Sequence, residues 1–214
     1  MPGSYLPISL RLEGRRCLIV GGGAVAYRKA KALAEQGADL TIIAPEHNAG
    51  IQQFADQGLL TVINRAYASP EAENYGLVIC ATDDERVNQI IYEDCLRAKV
   101  PVNVVDDPTR CDFIFPAVIR RGSLSLAIST AGRAPFLTKH LRSMLEMVFG
   151  PQWGPVTDLA EAFRAEVRRR FPDDPKKEQE CFRRFLEIDW PALFISQNPT
   201  EVENRYRQLL DSLN

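Results

Sequence analysis

The chain has 214 residues, 45% of them hydrophobic and 25% charged, an ordinary globular composition with apolar material for one α/β domain and a smaller appendage. A formal charge of −2 excludes the basic footprint of a nucleic-acid-binding protein, so an anionic ligand has to be met by local clusters of positive groups. No apolar run approaches the length of a membrane span, and the start, with Pro2 and Pro7, does not read as a signal peptide; the expected location is the cytoplasm, with no membrane partner.

The apolar run Cys17-Leu-Ile-Val20 predicts a first strand. It runs through Gly21, Gly22 and Gly23 into a helix over 24–36 with Ala26, Ala30 and Leu33 on one face and Gly37 just past its end. Strand, glycine turn and helix in that order form a dinucleotide fingerprint. Gly21 makes the tight turn, Gly23 lets the backbone approach a pyrophosphate, and Ala26 takes the close-packing position. The anion then meets the positive end of the helix. Leu40 to Ala44 reads as a second strand, 51–57 as a short helix, Leu60 to Ile63 as a third strand and Leu77 to Ala81 as a fourth. An amphipathic helix over 84–98, its inner side marked by Val87, Ile90, Ile91 and Leu96, leads to a fifth strand at Val102 to Val105. The alternation predicts an α/β fold with a doubly wound parallel sheet and a ligand at the carboxyl ends of its strands.

After Asp106 the pattern changes. Phe113 to Ile119 and Leu124 to Ser129 predict two strands joined by a short turn at Arg120-Arg-Gly122, and a helix runs from Pro135 to about Val148. From Pro155 onward the chain is helical and charged, over 156–171, 176–187 and 200–213, punctuated by Pro172, Pro175, Pro191 and Pro199. The Val167-Arg-Arg-Arg170 run, with Glu161 and Glu166 nearby, reads as a solvated helix face. Five cysteines, at 17, 80, 95, 111 and 181, lack C-x-x-C spacing and nearby histidines, so no metal site is expected; Cys17 and Cys80 read as buried hydrophobes, and Cys111 is the one set among polar residues.

Candidate site residues follow the strand ends. Glu46, in Ala44-Pro45-Glu46, is an acid placed to accept from ribose hydroxyls, though farther along than usual, and Pro45 can direct the backbone toward the adenosine. An arginine there would have welcomed a 2′-phosphate, so NAD is expected over NADP. Thr82 and Asp83, in Ala81-Thr-Asp-Asp84, either face the cofactor or cap the next helix. In Asn103-Val-Val-Asp-Asp107 two adjacent carboxylates leave the fifth strand pointing opposite ways, so one faces the site. Asp106 reads as that one, a general base with its pKa raised by burial, and Asp107-Pro108 as a turn.

Taken in order, Gly21-Gly-Gly-Ala-Val-Ala26, Ala81-Thr-Asp-Asp84, Asn103-Val-Val-Asp106, Phe113-Ile-Phe-Pro-Ala117, Arg121-Gly122, Ala127-Ile-Ser-Thr130 and Gly132-Arg-Ala-Pro135 resemble the precorrin-2 dehydrogenase family of siroheme biosynthesis, over residues 5 to about 148. The resemblance implies NAD-dependent oxidation of precorrin-2 to sirohydrochlorin, a tetrapyrrole; some members also insert ferrous iron. It implies a Rossmann-like NAD-binding domain over 1–112, a small mixed α/β dimerisation and substrate domain over 113–149, and a helical C-terminal domain over 150–214. Carried over by residue, the catalytic aspartate is Asp106, and nucleotide contacts fall on Ala24, Val25, Pro45 and Glu46 beside the glycines. A hydroxyl at the tetrapyrrole falls on Thr130, preceded by Ser129; some members have a phosphorylatable serine there, and the pattern has serine where this chain has Ala134.

The substrate so implied is edged by acetate and propionate carboxylates. Arg110, Arg120, Arg121, Arg133, Lys139 and Arg142 are concentrated in the matching segment, and Arg110, Arg120, Arg121 and Arg133 read as its contacts. Phe113, Ile114, Phe115, Val118, Ile119, Leu124, Leu126 and Ile128 offer more apolar surface than one helix can cover, which predicts a homodimer built through 113–148. Two other readings remain at this point: a bifunctional enzyme that is also a ferrochelatase, although His47 and His140 are the only imidazoles, and a nucleotide-sensing regulatory module.

Overall fold

Four consecutive buried residues, Cys17 to Val20, place β1 (Arg16–Val20) at the centre of a parallel five-stranded sheet in the computed structural model, which describes residues 5–213. The other strands are β2 (Asp39–Ile43), β3 (Thr61–Ile63), β4 (Leu77–Cys80) and β5 (Val102–Val104), in the order β3-β2-β1-β4-β5. Val20 stands opposite Ile43 on one side and Cys80 on the other, so the strand order reverses beside β1. That reversal opens a crevice at the carboxyl ends of β1 and β4.

Alternate side chains of each strand go to opposite faces. Cys17, Ile19, Leu40, Ile42 and Ile79 pack with Ala26, Ala30 and Leu33 of α1 (Ala24–Ala34) and Ile51 of α2 (Ala49–Asp56). Leu18, Val20, Ile43, Val78 and Cys80 pack with Ile91 and Cys95 of α3 (Glu85–Ala98). Apolar groups on both faces are why these strands read as unbroken hydrophobic runs.

The inner stripe of α3 differs from expectation. Ile90 and Leu96 are exposed, and the buried positions are Asn88, Ile91, Asp94 and Cys95. Asp94 can be buried because it accepts from Tyr67 Oη at 2.7 Å and Ser69 Oγ at 2.9 Å and pairs with Arg97. Those partners lie far away in sequence, so hydropathy alone turns the helix too far.

The chain divides after Phe115 into two compact units. The second opens with an antiparallel hairpin, β6 (Ala117–Arg121) and β7 (Leu124–Ile128), in which Arg121 opposes Leu124 across a two-residue turn with Gly122 at φ +57°. The first of these strands starts at Ala117 and not at Phe113, because Phe113 and Phe115 pack against the α1 face of the first unit's core.

Then come α4 (Pro135–Val148), α5 (Trp153–Arg170), α6 (Pro175–Leu186), α7 (Trp190–Ile195) and α8 (Pro199–Asp211). The core of this unit is aromatic. Phe163 lies 4.9 Å from Phe185, Phe185 stacks on Trp190 at 5.0 Å, and Trp190 Nε1 donates to Phe185 O at 2.9 Å. Helix α7 has no counterpart in the expected elements, since Pro191 reads as punctuation. Asp174, Asp189 and Asn198 cap the backbone N–H groups of Lys177, Ala192 and Glu201, with Pro175, Pro191 and Pro199 each inside a first turn, where a missing N–H costs nothing. The arginine run is a paired helix face: Arg169 and Arg170 reach Glu166, and Arg168 reaches Glu178. Among the described residues, no helix is long and apolar enough to cross a membrane.

Candidate dinucleotide site at the switch point

The glycine turn is closed from two sides. Gly21, at φ +122°, donates to Ile43 O at 3.0 Å, and a Cβ there would stand 2.1 Å from the carbonyl oxygen of Ala81. At Gly22 a Cβ would stand 1.9 Å from Glu46 O, and Asn48 N donates to Gly22 O at 3.0 Å. Gly23 faces open space. It is the N-cap of α1, and neither a side-chain cap nor an acidic residue occupies the first turn, so the leading N–H groups of that helix are left unpaired by the protein. The structural need for Gly22 goes unseen in the fingerprint, which gives the middle glycine no role; three consecutive glycines were the available signal.

Pro45 and Glu46 are exposed where the chain leaves β2. His47 Nε2 meets Gln52 Oε1 at 2.8 Å, and Asn48 caps α2 through Ile51 N. Across the crevice the cap of α3 is Asp84, accepting from Arg86 N and Val87 N, and neither Thr82 nor Asp83 fills that place. Thr82 Oγ1 accepts from Asp84 N at 3.0 Å and its carbonyl from Asn88 Nδ2, while Asp83 is exposed.

Beyond β5 the two carboxylates part company. Asp107 accepts from the Thr109 hydroxyl at 2.5 Å, from Arg110 Nε and from Thr109 N at 2.9 Å, and those hydrogen bonds, the Thr109 hydroxyl first, lower its carboxyl to about 2. Asp106 is exposed, in a left-handed backbone conformation at φ +64°, and no hydrogen bond or ion pair engages its carboxylate among the described residues. Its exposure differs from the buried base expected. Arg110 is committed to Asp107, to Glu85 at 2.6 Å and to Gln89 Oε1 at 3.2 Å. Asn103, buried in β5, donates to Phe113 O at 2.8 Å and to Cys111 Sγ, fastening the segment that follows.

In the second unit Arg121 donates to Phe149 O at 2.8 Å and to Arg120 O. Ser129 Oγ accepts from Ala131 N and Thr130 Oγ1 from Ala134 N, both at 3.0 Å, so these hydroxyls shape the turn that starts α4. Arg120 and Arg133 are exposed and carry no ion pair among the described residues.

Residues 8–117 match the family model described as "Putative NAD(P)-binding". Siroheme synthase of Methylococcus capsulatus is 41% identical over 208 residues, 97% of this chain and 44% of that protein. Siroheme synthase of Actinobacillus pleuropneumoniae is 37% identical over 195 residues, 91% of this chain and 38% of that protein. The solved structure of "SirC, precorrin-2 dehydrogenase" has a TM-score of 0.77 at 25% identity, covering 98% of both chains. The chain belongs to the precorrin-2 dehydrogenase and siroheme synthase family. It spans less than half the length of the siroheme synthases it matches.

For a member of this family the cofactor is a nicotinamide dinucleotide, and the residues present fit one. The unpaired N–H groups at the start of α1 suit a pyrophosphate, and the space at Gly23 lets it approach the backbone. Among the described residues no group of three His, Cys, Asp or Glu side chains could hold a metal ion.

Proposed function

We propose that the chain oxidises precorrin-2 to sirohydrochlorin, with NAD as the hydride acceptor and Asp106 as the base for the accompanying proton. The observation that carries this reading is the Asp106 carboxylate, unpaired at the carboxyl edge of the sheet on which the open glycine turn also stands. Gly21, Gly22 and Gly23, with the N–H groups of Ala24 and Val25, hold the pyrophosphate. Pro45 and Glu46 take the adenosine side, and Thr82 and Asp83 the far wall of the crevice. When bound, NAD supplies the hydride acceptor; the protein aligns it and removes the proton. Of the arginines, Arg120 and Arg133 are exposed and without an ion pair among the described residues, which suits them to substrate carboxylates, whereas Arg110 and Arg121 brace the backbone and its neighbours. Ser129 and Thr130 set the turn that carries Arg133 into α4. The five free cysteines suit the cytoplasm.

An anaerobic absorbance assay with precorrin-2 tests this reading: sirohydrochlorin should appear only when NAD is added. No conversion overturns the reading. NADP should be at least about tenfold less effective, because its 2′-phosphate would meet the Glu46 carboxylate with no arginine to pair it. An equal rate with NADP would refute the assignment of NAD.

We also infer a homodimer, carried by α4. Phe136 is 78% exposed, Met147 81% and Val148 62%, and no residue of this amphipathic helix is buried within the chain. The uncovered apolar surface therefore lies at the α4 end of the expected segment 113–148, while Ile119 of its first strand is buried within the chain. The wild-type chain should sediment as a dimer, and Met147→Glu combined with Phe136→Glu as a monomer. A wild-type monomer that is fully active at assay concentration would sink this inference.

A further inference from the structure

Lys29 stands in the second turn of α1, half buried, with its ammonium 3.7 Å from the centroid of the Phe115 ring. The ring is held from behind: Phe113 meets it edge-on at 5.6 Å, and Asn103 ties Phe113 to β5. A ring face attracts a cation but covers one side of it, and an ammonium has three N–H donors. Among the described residues, no carboxylate, carbonyl or hydroxyl accepts from Lys29. The titratable and charged groups that act on it are Arg28 on its own helix, and Asp106 and Cys111 from the chain after β5. Burial first, then Arg28, lower Lys29 to about 8, while Cys111 and Asp106 oppose the change. Burial raises the Cys111 thiol above its ordinary value.

A half-desolvated cation with unused donors, under a ring of the segment that follows the candidate base, lacks only its anion. We propose that Lys29 is a substrate-binding residue whose ammonium receives one carboxylate arm of the macrocycle acting at Asp106. The inference rests on the tetrapyrrole reading above. Phe115, which lies over the ammonium, and Asp106 and Cys111, whose charges act on it, all belong to the chain after β5, the segment that carries the candidate base. Phe115 holds the ammonium on one side and leaves its donors to the ligand.

Linkage gives this role a signature. A carboxylate partner raises the pKa of Lys29 in the complex, so binding takes up a proton above the free value near 8 and weakens as pH rises. The macrocycle's own carboxylates are already ionised there. The experiment is an anaerobic, iron-free titration of the full chain with sirohydrochlorin from pH 6.5 to 9.5, alongside an NAD titration. Wild-type affinity should be level below about pH 7.5 and fall by up to about tenfold per pH unit above about pH 8. Lys29→Met should bind sirohydrochlorin roughly 10- to 100-fold more weakly at pH 7, without the alkaline decline. Lys29→Arg, charged throughout, should keep most of the affinity and also lose the decline. NAD affinity should be unchanged in both. Lys29→Met binding sirohydrochlorin as tightly as wild type, a persisting decline in Lys29→Arg, or equal losses of NAD and sirohydrochlorin binding would each overturn the proposal. Wild-type protein that binds NAD but no sirohydrochlorin at any pH would overturn the tetrapyrrole reading itself.

Discussion

Asp106→Asn should lower turnover of precorrin-2 by about 10²- to 10⁴-fold and leave NAD affinity intact, since a general base contributes to the rate and little to cofactor binding. The variant should fold normally. Asn is isosteric and tolerates the left-handed backbone at this position at least as well as Asp, and no native partner is lost. Asp107→Asn is the control. Its carboxylate, lowered to about 2 by Thr109 and Arg110, stabilises the fold above the ordinary carboxylate range and loses that contribution as pH falls toward 2. The pair is partly buried but remains in contact with solvent at a turn outside the proposed chemistry, so activity should stay near wild type. Single-turnover absorbance and a calorimetric NAD titration measure both properties. Reversed phenotypes would make Asp107 the base.

Gly21→Ala should abolish NAD binding and destabilise the chain by at least about 2 kcal/mol, an overpacking cost joined to a strained φ. The new methyl would stand 2.1 Å from the Ala81 carbonyl, so β1 and β4 would have to part where the cofactor sits. Gly23→Val should separate the two effects. Nothing lies within 4 Å of a Cβ there, so the fold should hold while the branched side chain fills the pyrophosphate's space. Thermal melts and NAD titrations of both variants distinguish them. Gly21→Ala melting like wild type, or Gly23→Val binding NAD normally, would refute the described geometry.

The sheet was legible because burial on both faces leaves no alternation to misread. The runs at Cys17, Leu77 and Val102 announced β1, β4 and β5, and the glycines between strand and helix announced the crevice. Local polar signals were legible too, as in the pairing of Arg169 and Arg170 with Glu166. What stayed hidden depends on partners remote in sequence. Asp94 is inside because Tyr67 and Ser69 come to it, Arg110 is taken up by Glu85 and Gln89, and Phe113 belongs to the first core because Asn103 holds its carbonyl. Helix α7 was missed for a different reason: a proline next to a tryptophan reads as an end when it marks a beginning. In the site, Gly22 and Lys29 escaped notice because the signal for each is what approaches from elsewhere, Glu46 in one case and Phe115 in the other.

The contact of Gly21 with Ala81 joins points sixty residues apart in the chain, so the cradle exists only once β1 and β4 have found each other. Such non-local pairing is slow compared with helix formation, and the capped helices after Pro155 can form while the cradle is still open. A ligand that recognises only the closed cradle stabilises the native state by RT ln(1 + [ligand]/Kd). A dinucleotide held there would thereby act as a folding partner of the polypeptide, and its removal should lower the thermal stability of the chain.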